Sequence, residues 1–386
     1  MKIIVKGVDI MYKIIDKYID KLMTSDPALP LWNVESIKQG KPARWNYIDG
    51  CMMTSLIELY KLTGEKKYID FVKKFTDYYV SDDGSIRGYE PENYSTDDVC
   101  ESKILFDLDE IFGDPKYKKA IDLTFEQVKN QPRTKEGNFW HKKIYPNQVW
   151  LDGFYMIQPF YTRYQTKYGG KNYFDIISQY KNARKYIFDE KAKLYHHGWD
   201  STHTMFWADP NTGCSKEYWL RALGWFMVSL IDVYDYMSEE MYDEYHTIKE
   251  LFKEIVDNVL IYQDKESKMF YQVVDQGARK GNYLETSGSS MIAYAILKGV
   301  RLEALPPRYQ KIGMEIFEGI ANKYLTDNNG DLNLGGICLV AGLGPDKDRR
   351  RDGTFEYYIS EPIVENDAKG VGPFIMAYTE MKRILK

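Results

Sequence analysis

Trp150-Leu151-Asp152-Gly153 sets a carboxylate between an indole and a glycine, after a polar loop (139–146) and just before an apolar run (154–160). Aromatic neighbours exclude water from a carboxyl group and favour its protonated form, which suits an acid that must keep its proton near neutral pH. The same aspartate has a second reading as an N-cap, accepting the free N–H groups of a first helical turn. His197-Gly198-Trp199-Asp200 gathers an imidazole, an indole and a carboxylate; local hydrogen bonds pinning a turn would account for it as well. Arg221 and Trp225 stand four apart on a predicted helix and so share a face. The guanidinium can hold a carboxylate through two parallel hydrogen bonds, and the indole can stack on a sugar ring. The competing reading is a buried ion pair, with Glu217 as partner.

The elements that must position these groups are helices. A first helix is expected over 9–23 and a second over 52–62, opened by Trp45-Asn46-Tyr47-Ile48-Asp49-Gly50. A Gly-x-x-x-Tyr unit then recurs at Gly64, Gly113 and Gly169, spaced by roughly the length of a helical hairpin. Each glycine is placed to end one helix in a left-handed cap while the next begins at once, with Pro115 in a first turn. The helices after the caps (66–79, 116–129, 171–188), and those at 242–260 and 308–325, are charged along one face. Those between them are more apolar. An apolar helix inside and an amphipathic one outside, six times over, predicts a closed all-α toroid whose inner-helix N-termini share one rim. Short strands are expected at 270–274 and 337–340.

Composition narrows the function classes. The net charge of 52 − 57 = −5 argues against a nucleic-acid partner. An aromatic content of 15% suits a sugar-binding cleft as well as a large core. Cys51, Cys100, Cys214 and Cys338 lack the spacing of a zinc site or a disulfide framework. No His-Glu-x-x-His, no histidine pair four apart, no dinucleotide or phosphate loop and no Gly-x-Ser-x-Gly occurs, so no metal or cofactor is expected. Lys6, Asp9 and Lys13 interrupt the apolar N-terminus, and no run is long enough to span a bilayer. A cytoplasmic protein without membrane contact is the expectation.

Taken in order, these motifs resemble the unsaturated rhamnogalacturonyl hydrolases, glycoside hydrolase family 105. The resemblance covers almost the whole chain and is carried by Phe139-Trp140-His141-Lys142, Trp150-Leu151-Asp152-Gly153, His197-Gly198-Trp199-Asp200, Trp219-x-Arg221-x-x-Gly224-Trp225, Tyr262-Gln263-Asp264-Lys265, Glu285-Thr286-Ser287-Gly288-Ser289 and Glu365-Asn366-Asp367-x-Lys369-Gly370. It implies an (α/α)6 toroid forming one catalytic domain over residues 1–386. It assigns the general acid/base to Asp152 and the second active-site carboxylate to Asp97. Here Cys100-Glu101-Ser102-Lys103 departs from the family's usual glycine before a Lys or Arg, which keeps Asp98 open as the alternative. Substrate contacts fall on His197, Arg221 and Trp225, with Tyr47, His141 and Tyr145 added from the loops before the two aspartates. The implied substrate is a small oligosaccharide from pectin lyase action, with a Δ4,5-unsaturated galacturonate joined to rhamnose. The implied reaction hydrates the C4=C5 enol ether, Asp97 raising the proton affinity of Asp152 by like-charge proximity, with no metal or cofactor. The rival readings are an unsaturated glucuronyl hydrolase acting on glycosaminoglycan fragments, and a non-hydrolytic sugar epimerase or binding toroid.

Overall fold

The computed structural model describes residues 8–385; Lys6 of the N-terminal reading lies outside them. The chain begins with α1 (Val8–Leu22) and a short α2 (Val34–Gln39). Three hairpins follow: α3 (Tyr47–Thr63) with α4 (Lys66–Asp77), α5 (Thr96–Glu101) and α6 (Leu105–Phe112) with α7 (Pro115–Asn130), and α8 (Leu151–Lys167) with α9 (Phe174–Tyr186). Then come α10 (Leu220–Tyr236) with α11 (Tyr242–Val259), α12 (Thr286–Arg301) with α13 (Tyr309–Tyr324), a short α14 (Phe355–Ser360) and α15 (Ala368–Ile384).

The burial pattern decides which helices go inside. In α4, Tyr68, Ile69, Val72 and Phe75 form one buried stripe, as expected of a helix with one face in water. In α10, every residue from Leu220 to Tyr234 is buried. The inner helices pack in a closed cycle: α3 on α5, α5 on α8, α8 on α10, α10 on α12, α12 on α15, and α15 back on α3. The fold is an (α/α)6 toroid. α1 completes the outer layer against α15, where the Tyr378 hydroxyl donates to Asp16 at 2.9 Å.

The glycine caps hold at two of the three repeats. Gly64 and Gly113 adopt φ of 72° and 63° and end α3 and α6. Asp114 then accepts from the Lys116 N–H, and Pro115 opens α7 as expected. At the third repeat the left-handed residues are Gly170 and Lys171, not Gly169. There α8 unwinds through Tyr168, and the Gly169 N–H still bonds back to the last helical turn.

The strands are short two-stranded ladders. β1 (Gln148–Trp150) pairs with β4 (Gly198–Asp200), and β2 (Phe188–Asp189) with β3 (Leu194–Tyr195). β5 (Leu325–Asn328) pairs with β6 (Asp331–Leu334), and β7 (Ile337–Cys338) with β8 (Ile363–Val364). The expected strand at 337–340 is thus confined to its first two residues. The one at 270–274 does not form. Its backbone changes partner at nearly every residue: Phe270 with Ser289, Tyr271 with Leu284, Gln272 with Leu220 and Val273 with Trp219. Among the described residues no helix is long and apolar enough to cross a membrane.

Candidate active site

The β1–β4 ladder brings two distant motifs together. Trp150 pairs with Gly198, and one step further the Leu151 N–H donates to the His197 carbonyl at 3.0 Å. Asp152 follows at once as the second residue of α8. His197 Nε2 then stands 3.1 Å from Asp152 Oδ2. The two are close but out of line: neither atom has an aligned hydrogen bond, and no other group competes for either. Such contacts in an unliganded site commonly tighten only when substrate arrives. Asp152 caps nothing, since Trp150 holds the N-cap position without a side-chain bond. The turn reading of the His197–Asp200 motif holds at Asp200, whose carboxylate accepts from the Thr202, Thr204 and Met205 N–H groups, while His197 stands just before β4. Gly198 lets the Trp150 indole come close; a Cβ there would lie 3.0 Å from Trp150 Cδ1.

Asp97 occupies the start of α5, the neighbouring inner helix. The Lys142 ammonium pairs with its Oδ2, and His141 Nε2 lies 3.7 Å from its Oδ1. Burial raises this carboxyl, but Lys142, His141 and Arg44 outweigh burial and hold it below the ordinary carboxylate range. Next to it, burial pushes Asp98 up to about 6, and its partner is the rim residue Arg44 at 3.7 Å. Of the two adjacent aspartates, Asp97 is therefore the one that meets His141 and Lys142. The expected role of Asp97 as an unmatched like charge beside Asp152 does not fit this geometry, because Lys142 matches it.

His141 is held from behind. Thr96 Oγ1 donates to the His141 carbonyl at 2.9 Å and lies 3.1 Å from its Nδ1. With the Thr96 proton committed to the carbonyl, Nδ1–H is the donor to Thr96, and Nε2 is left free toward Asp97. Burial drives the imidazole pKa down to about 4, so it is neutral at neutral pH. Gly153 makes this approach feasible, as a Cβ there would sit 3.1 Å from His141 Nδ1. The ring also stacks on Trp150 at 4.4 Å, and Tyr145 stacks on Trp150 at 4.7 Å.

Arg221 lies deeper. Its Nε donates to Ser287 Oγ at 2.7 Å, and its terminal nitrogens reach the Cys338 and Leu339 carbonyls. Its carboxylate neighbour is Glu285 at 3.7 Å rather than Glu217, which instead accepts from Gln276. Glu217 fails as partner because it precedes α10, whereas Glu285 enters from the start of α12. Tyr47 feels the charges of both Asp97 and Arg221, and its ring meets Trp225 edge-on at 6.3 Å. Trp225 in turn stacks on Tyr155 at 4.5 Å, three residues beyond Asp152. The eight residues singled out from the sequence thus form one connected set spanning α3, α5, α8 and α10.

The structure adds groups that the sequence did not single out. Lys142 was within a quoted motif but had no assigned role. Tyr358, from α14, places its hydroxyl 2.6 Å from His197 Nδ1. No spacing could relate Tyr358 to His197 across 161 positions. Among the described residues no three His, Cys, Asp or Glu side chains gather as a metal-ligand set.

Comparison with known proteins meets this geometry from the other side. The family model for Glycosyl Hydrolase Family 88 matches residues 15–385. A family 105 glycoside hydrolase structure from C. acetobutylicum is 40% identical, with a TM-score of 0.86, covering 95% of this chain and 99% of its own. An unsaturated glucuronyl hydrolase specific for heparin superposes with a TM-score of 0.68 at 14% identity, covering 98% of each chain, and shows the shared fold. The unsaturated rhamnogalacturonyl hydrolase YesR of Bacillus subtilis is 24% identical over 265 residues, 67% of this chain and 72% of that one. The chain belongs to the family 88 and 105 glycoside hydrolases, the unsaturated uronyl hydrolases. Within that group it is a protein like the unsaturated rhamnogalacturonyl hydrolases of family 105.

Proposed function

We propose that this chain removes the Δ4,5-unsaturated galacturonate from the non-reducing end of rhamnogalacturonan oligosaccharides, with the unsaturated galacturonyl-rhamnose disaccharide as the smallest substrate. The observation that carries this reading is Asp152: a largely buried carboxylate at a helix start, engaged in no cap, with one oxygen beside His197. The kinship with YesR supports the choice of rhamnogalacturonan.

In the proposed reaction, the Asp152 carboxylic acid gives its proton to C4 of the enol ether. Water adds at C5 and returns a proton to the Asp152 carboxylate. The resulting C5 hemiketal opens at the ring oxygen to a C5 ketone, and the C1 hemiacetal this leaves collapses to an aldehyde, breaking the bond to the leaving sugar, which departs as its alcohol. One water is consumed and Asp152 ends as it began. This differs from displacement at the anomeric carbon by two carboxylates. Asp97, kept ionised by Lys142, orients the sugar. Arg221, Lys142 and Arg44 supply the positive field for the uronate carboxylate, and Trp225 and Tyr47 line the sugar faces.

The test is a panel of unsaturated disaccharides followed by loss of alkene absorbance. Unsaturated galacturonyl-rhamnose is expected to be consumed fastest, and in heavy water the released keto sugar carries deuterium at C4. Faster turnover of unsaturated glucuronyl-hexosamine disaccharides would overturn the substrate choice. An intact alkene in the product would overturn the chemistry.

A further inference from the structure

His197 is fully buried and bridges two groups: Asp152 Oδ2 at 3.1 Å from Nε2 and the Tyr358 hydroxyl at 2.6 Å from Nδ1. Trp219 packs on the imidazole at 4.8 Å and lies nearly parallel to the Tyr358 ring at 5.9 Å. Tyr358 is itself fully buried, and among the described residues its hydroxyl meets no partner but His197. The ring is thus caged, and what stays undetermined by packing is where its proton sits.

The hydrogen-bond count decides that. A neutral imidazole has one N–H, and a phenol has one O–H. If Nδ1 held the proton, Tyr358 would accept it and its own hydrogen would point at nothing in a buried site. Nε2 would then turn a lone pair toward the lone pairs of Asp152. If Nε2 holds the proton, Tyr358 donates to Nδ1 and the Nε2–H faces Asp152 Oδ2, 3.1 Å away and needing only a small realignment. Only the second arrangement gives both hydrogens an acceptor within reach.

We infer that Tyr358 is a positioning residue for the reaction proposed above: it locks His197 as the Nε2–H tautomer, which dedicates Asp152 Oδ2 as a hydrogen-bond acceptor and leaves Oδ1 as the oxygen that delivers and recovers the proton. The inference rests on that reading for its catalytic meaning, but the tautomer itself does not. A general acid with two equivalent oxygens would present its proton to C4 from either. Fixing one oxygen removes the unproductive half of those encounters and steers the proton to one face of the sugar ring. The titratable and charged groups around the pair are His141 with Asp97 and Lys142 on one side, and Tyr357, Glu217 and Asp352 on the side of Tyr358.

Two measurements on the full chain test this. In protein with ¹⁵N-labelled histidine, His197 is assigned from the resonance lost in His197→Gln. Near neutral pH it is expected to show a protonated Nε2 and a bare Nδ1, without any substrate. A protonated Nδ1 would overturn the lock. In Tyr358→Phe, kcat for the unsaturated disaccharide is expected to fall about tenfold, with KM within about twofold and the pH profile of kcat displaced. An unchanged kcat and pH profile in a variant that melts like the parent would overturn the positioning role. If Tyr358→Phe melts early, the ¹⁵N measurement on the parent still decides. If the parent consumes no unsaturated uronide, the proposed function fails while the tautomer result stands.

Discussion

Asp97 and Asp152 open two neighbouring inner helices of one ring, yet they are held in opposite ways. Asp97 is matched by a lysine, flanked by a neutral histidine and influenced by a rim arginine. Its charge is fixed. Asp152 has a single ion-pair contact among the described residues, an imidazole that can be a neutral donor. No lysine or arginine matches it among the described residues. An enzyme that must both give and take one proton needs a carboxyl of the second kind. It also needs one of the first kind, whose constant charge keeps the substrate in register while the other titrates.

The largest break in this contrast comes from Asp152→Asn. The amide is close in shape and leaves the ring intact, so the melting temperature should barely move. It cannot cycle a proton, and turnover is expected to fall by about 10²–10⁴ or more, followed by alkene absorbance. Near-normal turnover would remove Asp152 from the chemistry.

Lys142→Met converts Asp97 toward the other kind. Without the ammonium, burial is less opposed and the Asp97 carboxyl rises. Its ionised form is then lost at a higher pH, so the acid limb of kcat/KM should move upward, with a loss of about 10–100-fold near pH 6, the scale of about 1.4–2.8 kcal/mol for a partner stripped from a buried charge. An unmoved acid limb would show that the Asp97–Lys142 pair does not matter to turnover.

Gly153→Ala tests the spacing between the two halves. The new methyl would press on His141 Nδ1 from 3.1 Å. A cost of about 1–3 kcal/mol in stability is expected from such overpacking, with a smaller fall in kcat, both read by denaturant titration and steady-state rates. A neutral effect would mean that His141 yields without consequence.

The mildest effect lies behind Asp97. Asp49 and Glu101 are fully buried carboxyls; burial raises Asp49 to about 7 and, with Asp49 beside it, lifts Glu101 well above its usual range. Both take up protons on folding, so stability is full below the unfolded values of about 4 and is lost as pH rises through the folded ones. Asp49→Asn keeps an acceptor for the Trp32 N–H, which now reaches Asp49 Oδ1 at 2.7 Å, and should flatten the decline between about pH 4 and 7. An equally steep decline in the variant would assign it elsewhere.

Much of this architecture was legible because helices declare themselves over many residues. The stripe of α4 and the mostly apolar length of α10 spread their signal over many residues, and the capping glycines at 64 and 113 repeat one motif. The ladders were hidden for the converse reason: three residues at 148–150 are too few to show alternation. The gathering of Asp97, Asp152, His141 and His197 followed from motif resemblance, whereas their partners did not. Lys142 pairs with Asp97 across 45 positions and Tyr358 reaches His197 across 161. Such separations leave no periodic trace in a single chain. Glu217 was the natural guess for Arg221 because it lies one helical turn away in sequence. The fold instead brings in Glu285 from the next inner helix.

The β1–β4 ladder is only three residues long on each side, but its register decides which way His197 points. Side chains along a strand alternate faces, so sliding one strand by a single residue would turn the imidazole away from α8 and present Gly198 to Asp152 instead. The segment from 148 to 152 and its counterpart from 197 to 200 therefore cannot change in length. Deleting one residue there would leave a ring of helices standing, with its acid and its histidine permanently out of step.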